Sequence, residues 1–585
     1  MNFFKTFLTS CLGTVTGLLA FAILGIIILI SISKSEEVTE VSEDSVLMLR
    51  LNGPITELEV EDPFGGLLPE ASDASFGLMQ VTDAIRHAKE DDQIKGIFLN
   101  TGIMMAGYAT IEELRDALID FKTSGKWVIA YADAYTEGAY FLASVADKVY
   151  MNPDGIVEFN GLAAEVMFFK RMFDKLEIRP EVFRVGDFKS AVEPFLREDM
   201  SPENRLQLDA MLASIHKEMI TRMAEDRKTT PEKLKAIADN MLVRNSGLAV
   251  EHGLVDSLMY EDEVHAELRG RMSLDADERI PFIKYNEYRK SYKPRTGAKS
   301  EIAVIVADGT IMPGKADNGV VGATTIIEAL RRARKSDRVK AVVLRINSPG
   351  GSFNASDAMW REIRLTSEEK PVIASMADYA ASGGYFLAMA CDSIVARPTT
   401  ITGSIGVFSV LFDLSGFLGN KIGITSQEVK TGAVGNMVSM TRPLSEVERE
   451  IWQKQTDEVY EIFTGKAAEG RGMKKDSIKK IASGRVWTGE QALANGLVDK
   501  IGGLSEAVRI AAEMGGAGED YALRYYPKPR TVIEKFLDKS DREVSISDPI
   551  EKLAGPADKL LLNQWRKIRG YGGVQARIPY EFSIR

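Results

Sequence analysis

The stretch Ala380-Ala381-Ser382-Gly383-Gly384-Tyr385-Phe386-Leu387-Ala388 has a near copy earlier in the chain, Tyr135-Thr136-Glu137-Gly138-Ala139-Tyr140-Phe141-Leu142-Ala143. The two lie 382 − 137 = 245 residues apart. The same shift pairs Ala84-x-Arg86-x-Ala88 with Ala329-x-Arg331-x-Ala333, Lys95 with Lys340, Leu99 with Leu344 and Asp147 with Asp392. Residues 85–147 and 330–392 therefore read as two copies of one segment. They differ where chemistry would sit, because Ser382, set among small residues, is Glu137 in the first copy. Farther on, Val182–Lys189 pairs with Glu428–Gly435 at a shift of 435 − 189 = 246, and only the first copy keeps a lysine there. This pattern points to one divided site, with a base from one half and a nucleophile from the other.

Each half repeats one order of elements. An opening strand (Val46 to Leu51; Ile302 to Ala307) runs into a turn, Asn52-Gly53-Pro54 or Asp308-Gly309-Thr310. Ile326, Ile327, Leu330 and Ala333 are spaced for a helix. A buried strand (Ala341 to Leu344), a glycine loop, a helix, a strand (Val372 to Met376) and a helix from about Ser382 follow. Strands alternating with helices predict an α/β fold with parallel sheet covered by helices. Ser445 with Glu448 forms a capping box, and Ser201-Pro202 gives a serine cap with proline at the first helical position. The polar, basic stretch from Tyr285 to Ser300 reads as a linker. Residues 46–290 and 301–530 are the two expected domains, and 531–585 a C-terminal extension.

Composition narrows the function. The chain has 585 residues, and its 73 basic against 84 acidic side chains leave a net charge of −11. No basic surface for a phosphate backbone follows from that balance, so a nucleic-acid partner is not expected. The four histidines (His87, His216, His252, His265) are scattered, and no Cys/His spacing forms a metal site. So few imidazoles also argue against a Ser-His pair.

Phe7 to Ile32 carries no charge and exceeds the roughly 20 residues that cross a membrane. Ser31-Ile32-Ser33 reads as a small-residue cleavage site, yet the apolar run is longer than a signal-peptide core. Leu8-Thr9-Ser10-Cys11 resembles a lipoprotein box but precedes that run. The expectation is one uncleaved transmembrane helix over 7–32, with 1–6 cytoplasmic. Lys5 lies before it and Glu36, Glu37, Glu40, Glu43 and Asp44 after it, which puts the body outside the cytoplasm.

Asn347-Ser348-Pro349-Gly350-Gly351 follows a buried strand, and its glycines allow close approach of backbone N–H groups to a substrate. Gly383 opens the next helix. Gly351 and Gly383 together would form an oxyanion hole. Alone, either phrase is an ordinary turn or a tight helix start. The first copy has lost both, reading Gly102-Ile103-Met104-Met105-Ala106 at the loop, and that joint loss favours chemistry. Lys189 alone would be an ordinary surface lysine.

These phrases, with Thr402-Gly403-Ser404-Ile405-Gly406 and Phe188-Lys189-Ser190-Ala191-Val192-Glu193-Pro194-Phe195, resemble the long-form signal peptide peptidase A (protease IV) family of Ser/Lys peptidases. The resemblance spans residues 46–530 plus the anchor. It implies a tandem duplication of a Clp/crotonase-like α/β domain, with Ser382 as nucleophile, Lys189 as general base and Ser404 orienting the amine. It also implies signal-peptide substrates, no cofactor, and a homotetramer on the periplasmic side of the inner membrane. A free lysine, with a pKa of about 10.4, is protonated at neutral pH. Burial, which penalises the charged form, is the expected remedy. Phe183, Val185, Phe188, Val192 and Phe195 would supply the apolar setting. Two other readings stay open at this point: a crotonase-type acyl-CoA enzyme, and a non-catalytic peptide-binding scaffold of the same fold.

Overall fold

Aliphatic strands buried on both faces need helices on both sides, and two sheets of this kind are present. The computed structural model describes residues 12–18, 20–21, 39–59, 75–292, 297–315, 319–527 and 574–578. In the first sheet the strands run in the order Phe282–Lys284, Ser45–Arg50, Ile94–Asn100, Trp127–Tyr135, Lys148–Val157, Ser257–Leu258, and all neighbours are parallel. In the second, Tyr521–Tyr526, Ser300–Asp308, Val339–Ser348, Val372–Ala381 and Ser393–Ala396 follow the same parallel order. The mixed α/β class is as expected, and the repeat is visible strand by strand. The buried strands run longer than their apolar cores, because parallel pairing continues through Arg345 to Ser348 and Ala377 to Ala381. Ser445 and Ser201 cap the helices Glu446–Arg471 and Pro202–Asp226 as their sequences indicate.

A third sheet joins the halves. Its strand order is Val320–Gly322, Thr310–Met312, Gly350–Ser352, Val574–Arg577, Val407–Asp413, Arg179–Val185. Arg179–Val185, from the first half, lies antiparallel to Val407–Asp413 of the second. The repeat equivalents of this pair, residues 425–431 and 162–168, form no strand. Residues 421–433 are exposed throughout, and Val429 is 102% exposed.

A buried charge cluster also ties the halves together. Arg345, 0% exposed, makes a bidentate pair with Glu57 (2.8 and 3.1 Å) and an ion pair with Glu113 (2.6 Å). Burial pulls the guanidinium down, but the Glu113 and Glu57 carboxylates outweigh it and hold Arg345 above its ordinary range. Burial raises Glu57 to about 7 against the pull of Arg345. Beside the cluster, Asp378 accepts from Thr110 N–H (2.9 Å) and Oγ (2.7 Å). Removing one partner of a buried pair costs about 3–5 kcal/mol, because the other charge is then left in low dielectric.

Part of the expected linker is packed structure. Tyr285–Tyr288 forms a helical turn with both tyrosines buried, Tyr288 Oη donates to Asp91 (3.0 Å), and Tyr292 stacks on His87. The aromatic rings outweigh the polar residues around them. The expected anchor, Phe7 to Ile32, falls largely outside the described residues; positions 12–18 and 20–21 are helical. Among the described residues, no helix is long and apolar enough to cross a membrane.

Candidate active site

The sheet that carries Val372–Ala381 delivers Ser382 to the start of the helix Gly383–Ala388. Ser382 N–H donates to Gly403 O (2.8 Å), and the residue adopts φ +54°, ψ −109°. A non-glycine residue held there costs about 1–3 kcal/mol, a cost met only where the surroundings over-determine the backbone. Ser404, one residue beyond the strand Ile401–Gly403, also has positive φ (+49°), and its N–H donates to Arg485 O (2.7 Å).

Lys189 arrives from the other half. After the strand Arg179–Val185, a tight loop docks on Ser483: Phe188 N–H donates to Ser483 O (3.0 Å) and Asp187 N–H to Ser483 Oγ (3.1 Å). Gln207 fixes the loop from behind, donating to Phe188 O (3.2 Å) and Ser190 Oγ (2.7 Å). Ala191, Val192 and Phe195 pack with Phe173, Phe408 and Val410 in one apolar cluster.

Ser382, Lys189 and Ser404 are each 0% exposed. Lys189 Nζ lies 2.8 Å from Ser382 Oγ, 3.0 Å from Ser404 Oγ and 3.1 Å from Ser404 O. Ser404 Oγ donates onward to Gly484 O (3.2 Å). Burial alone, with no carboxylate to oppose it, holds the amine well below the ordinary lysine range. A neutral amine has two N–H bonds and one lone pair. The two atoms of Ser404 take the N–H bonds, which leaves the lone pair for the hydroxyl of Ser382. The three residues marked in the sequence are thus brought together.

Two glycines complete the seat. A Cβ on Gly484 would lie 2.6 Å from Lys189 Cβ and 2.7 Å from its N, and one on Gly406 would lie 3.3 Å from Lys189 Cδ. The lysine stem therefore runs along bare backbone. Gly406 stood in a quoted phrase, but Gly484 carried no sequence signal, being a lone glycine 484 − 189 = 295 residues from its contact.

Gly383 opens the helix Gly383–Ala388, and Gly351 lies in the strand Gly350–Ser352. Gly383 follows Ser382 directly, and Gly351 pairs with Ile311 on one side and Ala576 on the other. Gly350, with φ +99°, is the glycine that approaches Gly383: a Cβ there would lie 2.8 Å from Gly383 N. In the first half, Glu137 occupies the Ser382 position and accepts from Gly161 N–H (2.9 Å) and Asn160 N–H (3.3 Å). A carboxylate acceptor locks the loop there and leaves no nucleophile. Among the described residues, no His, Cys, Asp or Glu cluster gathers as a metal-binding group.

The model of Peptidase family S49 matches this chain twice, over residues 120–275 and 364–517, and the model of Clp protease matches residues 302–400. Protease 4 of Haemophilus influenzae is 34% identical over 523 residues, covering 86% of this chain and 85% of that one. Serine protease SPPA, chloroplastic, of Arabidopsis thaliana is 32% identical over 548 residues, covering 92% and 78%. A putative signal peptide peptidase SppA of Enterococcus faecium is 36% identical over 180 residues, covering 31% and 52%. Two family matches on the two repeats, with relatives aligned along most of the length, lead to one conclusion: the chain belongs to peptidase family S49 and is a serine peptidase.

Proposed function

We propose that this chain is an endopeptidase working through a Ser382/Lys189 dyad. The observation that carries the reading is the 2.8 Å approach of a fully buried lysine amine to Ser382 Oγ, with Ser404 filling the amine's other bonds. Lys189 takes the proton as Ser382 Oγ attacks a peptide carbonyl. The amides of Gly351 and Gly383 donate to the oxyanion. Lys189 passes the proton to the leaving amine, and water then releases the acyl group from Ser382. Residues 46–290 supply the base and 301–530 the nucleophile. The substrates are extended peptides, signal peptides among them, met at a membrane to which a helix over 7–32 anchors the chain. The apolar run and the charges flanking it support that placement, with the body on the periplasmic side of the inner membrane.

The unpaired repeat equivalents support a homo-oligomer. Arg179–Val185 pairs with Val407–Asp413 inside the chain. Residues 425–431 and 162–168 would make the same pair between neighbouring copies, head to tail, and close a ring when the rotation closes. A tetramer is the size the family resemblance implies. Exposed β-branched backbone of this kind is a template for strand addition.

Ser382→Ala and Lys189→Ala should each abolish peptide hydrolysis, and the double variant should lose little more, since the two residues act as a unit. Substantial turnover by either single variant in a peptide-release assay would reject the dyad. Gly484→Ala should keep the fold, as read by circular dichroism, yet lower kcat/KM by about 100-fold or more, the cost of displacing a catalytic group by roughly 1 Å. An unchanged rate would mean that the lysine seat is not needed. For the assembly, sedimentation velocity should find the wild type oligomeric and Val429→Pro dissociated, because proline removes a ladder donor. A variant that assembles like the wild type contradicts the strand exchange.

A further inference from the structure

An oxyanion hole works when its donors are aimed before the charge forms. The two amides assigned to it, Gly351 and Gly383, belong to different elements, and a Pro-Gly-Gly turn has few bonds of its own to hold it. Ser348 supplies them. It ends the strand Val339–Ser348, is 0% exposed and pairs with Ala380 of the strand that delivers Ser382. Its Oγ accepts from Gly350 N–H (3.2 Å), two residues on, across Pro349, which has no N–H to give. The same hydroxyl donates to Gly309 O (2.7 Å), and Gly309 N–H donates back to Asn347 O (2.9 Å). Asn347 is tied as well: its Oδ1 accepts from Tyr379 N–H (3.2 Å) and its Nδ2 donates to Asp308 (3.1 Å).

Ser348 also meets the second donor. A Cβ added to Gly384 would lie 2.7 Å from Ser348 O and 3.4 Å from Ser348 Cβ, so this residue abuts the start of the helix Gly383–Ala388. Successive N–H groups of a strand point opposite ways, so holding the Gly350 amide on Ser348 Oγ also sets the direction of the Gly351 amide. The first copy offers a contrast at the same place. At 348 − 245 = 103 stands Ile103, 73% exposed. The half without the nucleophile has no hydroxyl at this point either.

We infer that Ser348 is a positioning residue for the oxyanion hole; the inference rests on the dyad mechanism proposed above. Its hydroxyl takes the Gly350 N–H out of the cleft, and the amides of Gly351 and Gly383 are thereby held toward the carbonyl that Ser382 attacks. Ser348 itself touches neither the substrate nor the proton that Lys189 carries.

Steady-state hydrolysis of a leucine tripeptide coumarin amide by the full-length chain, with inhibition by the matching tripeptide boronate, tests this. A boronate adduct on Ser382 places one oxygen in the oxyanion hole and so reads that hole directly. Ser348→Ala should lower kcat by about 100-fold, the size of losing one oxyanion donor, with KM unchanged and boronate affinity lowered by a similar factor. Ser348→Cys, which fills the same space with a weak acceptor, should behave alike, and it stands in if circular dichroism shows the alanine variant unfolded. Unchanged kcat in a folded variant, or a fall in kcat that leaves boronate affinity intact, overturns the inference. So does failure of both variants to fold, since the hydroxyl then serves the fold alone. Lys189→Ala in the same assay separates the two readings. A dead Lys189→Ala beside fully active Ser348 variants overturns this inference and leaves the dyad standing. A fully active Lys189→Ala removes the dyad and this inference with it.

Discussion

A lysine amine removed from water, with one serine to hold it and another to receive it, is the constraint on which the site depends. An ammonium at that depth would need a counter-charge, and the groups on Lys189 Nζ are hydroxyl and carbonyl oxygens alone. Desolvation therefore acts unopposed and holds the amine's pKa well below the ordinary lysine range. Much of the surrounding sequence serves that burial. Gly484 and Gly406 let the stem pass, Gln207 and Ser483 fix the loop, and Phe173, Phe195 and Phe408 close the far side.

Duplication explains why the proposed base and nucleophile lie 382 − 189 = 193 residues apart. Each copy builds the same kind of parallel sheet, and in the proposed dyad each keeps half of the chemistry. Glu137 stands for the serine in the first copy, and Gly435 for the lysine in the second. One working site then needs both halves in fixed register. Two devices hold that register. The antiparallel pairing of Arg179–Val185 with Val407–Asp413 brings Lys189 across, and the Arg345–Glu57–Glu113 cluster locks the strand that leads into the Gly350–Gly351 turn.

The meeting of Ser382, Lys189 and Ser404, and the order of elements in each half, were legible in the sequence for a specific reason. Two copies in one chain act as an internal control, so a residue changed in one copy stands out against a preserved background. Contacts without a repeat partner had no such signal. Gly484 meets Lys189 only through the fold, and the Val574–Arg577 strand joins a sheet whose neighbouring strand lies more than 150 residues away. Tyr285 and Tyr288 were hidden in a polar, basic stretch because three tyrosine rings outweigh many solvated charges once they find a surface. The expected anchor over 7–32 rests on an apolar run, a signal that does not depend on tertiary contacts, and falls largely outside the described residues.

The central claim is that a buried lysine sets the reactivity of Ser382, and the rate of Ser382 labelling by a fluorophosphonate, followed against pH, tests it most directly. The neutral amine is the competent form and exists above its pKa, so the rate must rise with pH. The account predicts one rising limb, centred well below the ordinary lysine value of about 10.4, lost in Lys189→Ala and kept when each histidine is replaced. A limb centred at the ordinary lysine value, or one that persists in Lys189→Ala, would contradict it.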